Sequence, residues 1–187
     1  MPKSITFDRD KIMDVVVELF WKKGYNGTSM QDLVDATGLN RSSFYNTFVD
    51  KFTLFEASLT HYQQKQNQLI PTVNTFKSPK QAITSLFKGI SKDIMNGDQK
   101  GCLLTNCTTE LVKQEPRIKS FLQDNKNKIV NSFISLIQAA QKNGEIDPEK
   151  DSQTLALYLF SSLQGLRVTS MIDTQLEGVT EEILRSI

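Results

Sequence analysis

The chain has 187 residues, enough for one ample core or for a small domain joined to a larger one. A composition of 39% hydrophobic and 23% charged residues, with 9 Gly and 5 Pro, excludes disordered, collagenous and disulfide-scaffold classes. The net charge of +1 excludes bulk charge as a source of nucleic-acid affinity.

No stretch at the start, MPKSITFDRDK, has the apolar run of a signal-peptide core, and no later run is long enough to span a bilayer. A cytoplasmic location away from membranes is expected, with both cysteines reduced. Apolar residues recur with helical spacing almost everywhere, which predicts an all-α fold of about nine helices.

The first helix is expected over about 8–23, with Ile12, Val15, Val16, Leu19 and Phe20 as its apolar stripe and Gly24 as its C-terminal cap. Thr28-x-x-Gln31 and Ser29-x-x-Asp32 both read as capping boxes for a second helix. That helix breaks at Gly38, and Asn40 caps a third over about 41–48. Asp50 caps a fourth, which runs to about Leu69 and is stopped by Pro71.

Ser78-Pro79 opens a helix to about Met95, a short one follows over 102–113, and Pro116 opens a long one to about Lys142. Asp147-Pro148 is expected to open a helix over about 149–172, and Thr180 to cap the last, over 181–186.

Two short helices joined by a turn containing Gly38 make a helix-turn-helix, whose second helix enters the major groove of DNA. With Phe44 and Phe48 facing inward, Arg41, Ser42, Ser43, Tyr45, Asn46 and Thr47 form the outward face. Short polar donors, a phenol and a guanidinium suit groove and phosphate contacts. The same polarity also fits an ordinary solvated face. Residues 1–52 carry seven basic and seven acidic side chains, so any DNA contact depends on where charges sit.

The string Ile12…Val16…Leu19-Phe20…Gly24-Tyr25…Thr28-Ser29-Met30…Leu33…Ala36…Gly38-Leu39…Arg41-Ser42-Ser43-Phe44-Tyr45…Phe48…Lys51…Leu54-Phe55 resembles the N-terminal domain of the TetR family of transcriptional regulators. The resemblance implies that Gln31, Ser42, Ser43 and Asn46 approach bases, and that Thr28, Ser29, Tyr45, Thr47 and Lys51 hold phosphates. Thr47 stands where the family usually has His. Lys51 begins a helix whose positive dipole end also favours a phosphate.

The implied organisation is a DNA-binding domain over 6–52, with its helix-turn-helix over about 29–48. A helical bundle over 53–187 would bind an effector and dimerise. The implied function is a regulator, usually a repressor, that binds a palindromic double-stranded operator as a dimer and is released by a small molecule. A constitutive DNA-binding or architectural protein without ligand is the alternative.

The remainder of the chain resembles the effector-sensing half of the family. Gly101-Cys102-Leu103-Leu104-x-Asn106 with Glu110-Leu111, and Leu163-Gln164-Gly165-Leu166-Arg167-Val168, are similar to one sub-group. Some of its members respond to reactive molecules through a cysteine. From position and type, Phe87, Ile90, Cys102, Asn106, Phe133, Ile137, Tyr158 and Arg167 are expected to contact an effector.

Cys102 follows Gly101 at a helix start near Lys100, where dipole and ammonium favour a thiolate; Cys107 reads as packing. One histidine, His61, and two cysteines are too few for a usual zinc site. His61 is expected on a helix flank with no role. No catalytic or cofactor motif appears, and Glu110, Glu115 and Arg167 suggest at most a buried ion pair. Helix 149–172 is apolar nearly all round and includes Gly165, which predicts a homodimer through about 149–172 and 180–187.

Overall fold

The computed structural model describes residues 8–48, 50–67 and 76–187. Among these residues the chain is all-helical, with α1 (Arg9–Lys23), α2 (Met30–Thr37), α3 (Arg41–Thr47), α4 (Lys51–Asn67), α5 (Pro79–Met95), α6 (Leu103–Leu111), α7 (Pro116–Lys142), α8 (Ser152–Thr169) and α9 (Glu177–Arg185). The end expected for the fourth helix, at Leu69 and Pro71, lies outside the described residues.

Local chemistry sets most boundaries. Ser29 and Asp32 complete a reciprocal capping box on α2, and Gly38 closes that helix in the left-handed conformation at φ +66°. The Asn40 carbonyl accepts the first bond of α3, from Phe44 N at 2.9 Å. Asp50 caps α4 by accepting from Thr53 N at 2.8 Å. Ser78 and Pro79 open α5 together.

Three expectations are corrected. The buried line of α1 is Met13, Val16, Val17 and Phe20, while Val15 is 39% exposed. Packing of α1 against α4, α2 and α6 turns the helix away from the stripe read along it. The eighth helix begins at Ser152, because Asp151 accepts from Thr154 N at 2.8 Å; Asp147-Pro148 instead forms a turn in which Glu149 N donates to Asp147 Oδ1. Thr180 does not cap the last helix: it is buried one turn inside α9, its hydroxyl donating to Leu176 O at 3.0 Å.

Two apolar clusters organise the molecule. One joins α1, α2 and α3 with Leu54, Phe55, Leu59 and Tyr62 of α4, Leu103, Leu104, Cys107 and Leu111 of α6, and Ile118. The other joins α5, α7, α8 and α9 around Phe87 and Phe133. The first cluster therefore extends beyond residue 52 into α4 and α6. Helix α6 packs with the N-terminal helices although it begins 36 positions after α4 ends.

Candidate nucleic-acid interface and cavity

The α2–α3 unit presents its polar groups in a linked set. Arg41 donates to Gln31 Oε1 at 2.8 Å, and Gln31 Nε2 donates to Asp35 Oδ1 at 2.7 Å. Arg41, Ser42 and Tyr45 are exposed on α3, and Phe44 and Phe48 are buried beneath them. Ser43, Asn46 and Thr47 lie on α3, but their side chains fall outside the described set.

The acidic groups beside this face are engaged. Asp32 pairs with Lys23 at 2.6 Å, and that bond together with those from Ser29 holds its carboxyl far below the usual carboxylate range.

Two expected phosphate contacts sit differently. Thr28 is only 1% exposed, and its hydroxyl donates inward to Gly24 O at 2.6 Å, so it braces the turn before α2. The N-terminus of α4 is already occupied by the Asp50 carboxylate. Lys51 stands over the Tyr25 ring, 4.3 Å from its centroid, so its charge rather than the helix dipole is what this corner offers. Ser29 is exposed, though its hydroxyl is bound to Asp32.

A cavity of about 280 Å³ opens between α4, α5, α7 and α8, with Cys102 and Leu104 closing one side. Of the residues expected to contact an effector, Ile90, Cys102 and Arg167 line it. Phe87, Phe133 and Ile137 are fully buried in the second cluster. Tyr158 faces outward, and Asn106 turns to the neighbouring loop, donating to Lys100 O at 3.3 Å. Glu110, Glu115 and Arg167 do not meet, since Arg167 pairs with Asp98 at 3.4 Å.

The residues missed include Tyr62, Asn125, Leu163 and Gln164. Asn125 carried a legible signal. It occupies a core position of α7, seven residues after the buried Ile118 and four before Ile129. A polar residue on an apolar stripe marks a partner or a cavity.

Tyr62 donates to Cys102 Sγ at 3.6 Å, and burial raises its phenol well above the ordinary value of 10.0. Cys102 is partly buried at the N-cap of α6 and makes no side-chain capping bond. The ammonium of Lys100 is taken by Glu18 at 2.7 Å. Cys107 is buried, which pushes its thiol up to about 12.

The cavity walls also touch the N-terminal helices. The indole of Trp21 donates to Lys100 O at 2.9 Å, and its ring meets Tyr62 edge-on at 5.1 Å. From the C-terminal end of α6, Glu110 accepts Tyr25 N at 3.1 Å and Asn26 N at 2.8 Å. Gly24 permits this approach: its φ is +73°, and a Cβ there would lie 3.0 Å from the Glu110 carboxylate. His61, expected to have no role, bonds Asp14 Oδ1 at 2.7 Å and so ties α4 to α1.

Residues 12–58 match the family model for bacterial regulatory proteins, tetR family, and residues 81–183 match that for the tetracyclin repressor-like C-terminal domain. The chain is 30% identical over 181 residues to the HTH-type transcriptional repressor ComR of Escherichia coli K12, covering 94% of this chain and 85% of ComR. It is 25% identical to the repressor DhaR of Mycobacterium sp. strain GP1, covering 92% of this chain and 87% of DhaR. Among solved structures it superposes on a TetR regulator from Chloroflexus aurantiacus with a TM-score of 0.86 at 22% identity, over 96% of this chain and 93% of that one. It also superposes on a CifR cysteine mutant complexed with 26-bp double-strand operator DNA, with a TM-score of 0.84 at 22% identity over 97% of each chain.

Proposed function

The chain belongs to the tetR family of bacterial regulatory proteins and is a transcriptional regulator of that family, and we propose that it represses transcription as a cytoplasmic dimer released from DNA by a small molecule. The observation that carries this reading is the double engagement of α6. At its start, Cys102 and Leu104 line the cavity; further along, Glu110 grips the turn that leads into α2. A ligand in the cavity thus presses on an element bonded to the DNA-reading unit. Its differential affinity for the two arrangements sets how far operator binding shifts.

Dimer formation is supported by the outward face of α8. Leu157 and Val168 are exposed on the same side as Ser161 and Gly165, and Ile172, in the turn after α8, is 88% exposed. Among the described residues nothing lies within 4 Å of a Cβ built on Gly165, so the close approach its placement suggested does not occur among them. A second copy of the chain fits that open apolar face. Two-fold symmetry then places two α3 helices on successive half-sites of a near-palindromic operator, about 34–36 Å or more apart.

Selection of bound sequences from random DNA, with and without a panel of apolar and electrophilic compounds, tests the proposal. Enrichment of an inverted repeat, abolished by at least one compound, is expected. An inverted repeat whose binding no compound alters would assign the chain instead to constitutive DNA binding.

A further inference from the structure

We propose that the cavity takes a small apolar carboxylic acid, its carboxylate seated on Arg167 in competition with Asp98. This rests on the effector reading above and narrows it to a ligand class.

Several polar groups at the cavity have donor capacity that the described contacts do not use. Arg167 is 17% exposed, and its one described ion-pair contact is a single long one, 3.4 Å from Asp98. A guanidinium carries five N–H groups, so most of its capacity is unspent. Gln164 accepts from the Thr105 hydroxyl through Oε1, which leaves its NH2 group for the cavity. Asn125 is 7% exposed and has no hydrogen-bond partner among the described residues. Buried polar groups of this kind are normally satisfied by a protein group, a water or a ligand.

Charge narrows the choice. Arg167 is the one cation among the described lining residues, and Asp93, the one acid there, is solvent-exposed. An amine would face the guanidinium. A phosphate dianion would bring a second charge with no second cation to meet it. A carboxylate brings one charge and two coplanar acceptors, which a guanidinium fork engages in parallel.

Leu86, Ile90, Leu104, Ile129 and Leu163 supply an apolar remainder. The volume, about 280 Å³, sits at the small end of the roughly 300–1,000 Å³ typical of ligand pockets. A compact acid fits; a large amphiphile does not.

The competition with Asp98 joins binding to release. Asp98 lies on the loop that also carries Lys100, whose carbonyl accepts the Trp21 indole and whose ammonium pairs with Glu18 of α1. A carboxylate that draws Arg167 from Asp98 frees the α8 end of this strap, while its other end remains on the DNA-binding helices.

The test titrates the full chain with octanoate, octanol and octylamine, read by calorimetry and by the fluorescence of Trp21, the one tryptophan in the sequence. Octanoate is expected to bind about tenfold or more tighter than octanol, with octylamine weakest. Arg167→Gln should erase the preference for octanoate yet keep octanol affinity, which also shows that the variant is folded. Asp98→Asn removes the competitor and should tighten octanoate several-fold with octanol unchanged.

Equal binding of octanoate and octanol, tightest binding of octylamine, or a preference that survives Arg167→Gln overturns the proposal. So does an octanoate affinity indifferent to Asp98→Asn, or failure of all three probes to bind. Operator affinity of the ligand-free protein, measured on the same samples, judges the regulatory reading separately.

Discussion

Glu110 shows how much one side chain can carry. Its carboxylate accepts two main-chain N–H groups from a turn 84 and 85 positions earlier, groups that α1 and α2 leave without partners. Glu110→Ala should lower stability by about 1–3 kcal/mol in chemical denaturation, the usual cost of stranding donors. An unchanged midpoint would show that water satisfies both amides.

The two cysteines divide by environment. Cys107 is buried with its thiol raised to about 12, so little thiolate exists near neutrality, whereas Cys102 lines the cavity. Alkylation of the native protein at pH 7.5, a condition of about neutral pH, should label Cys102 first by peptide mass spectrometry. Equal labelling of Cys107 would contradict its burial.

Asp14 is held below its ordinary 3.8 chiefly by the bond from Lys65, then by that from His61. A depressed carboxyl stabilises the fold above its unfolded value, and that contribution fades as pH falls through the folded one. Asp14→Asn should therefore lower stability at neutral pH and flatten its decline below about pH 4; an unaltered acid limb in pH-dependent melts would count against this.

At the scale of elements, α8 is the informative one. Its inner face packs against α7 within the second apolar cluster, and Leu155, Ala156, Leu159 and Leu166 are buried there. Its outer face offers Leu157, Gly165 and Val168 to solvent, and Ile172 is exposed in the turn just beyond it. In the proposed dimer this exposed apolar stripe packs against the second copy. Val168→Asp should leave the melting of the monomer nearly unchanged and shift light-scattering mass toward 21.2 kDa at micromolar concentration. A variant that still forms dimers would move the interface elsewhere.

For the whole molecule, charge placement has to do what net charge does not. Lys51 over Tyr25 and Arg41 on Gln31 stand at the DNA-reading end, while Asp32 is neutralised by Lys23. Lys51→Ala should weaken binding to all DNA sequences alike and reduce the slope of log affinity against log salt by about 1. A preserved slope would remove Lys51 from the phosphate contacts. Glu110 and the 98–101 loop, by contrast, bond the bundle to the N-terminal helices.

Helix existence, most boundaries and the helix-turn-helix itself were legible along the chain, because they depend on near neighbours. A capping box spans four residues, as Ser29 to Asp32 does, and Gly38 ends a helix by its own conformational freedom. The family followed from such local positions too. What faces a cavity depends on how remote helices sit against one another, and no local period encodes that.

Phe87, Phe133 and Ile137 have the right types for a ligand wall yet fill the core, whereas Asn125 and Tyr62 reach the cavity because α4 and α7 happen to flank it. The same holds for α6, placed by its sequence among the later helices and by its packing among the first. Only tertiary structure brings Glu110 onto the Tyr25 turn and Arg167 onto Asp98, since both contacts join groups more than sixty positions apart.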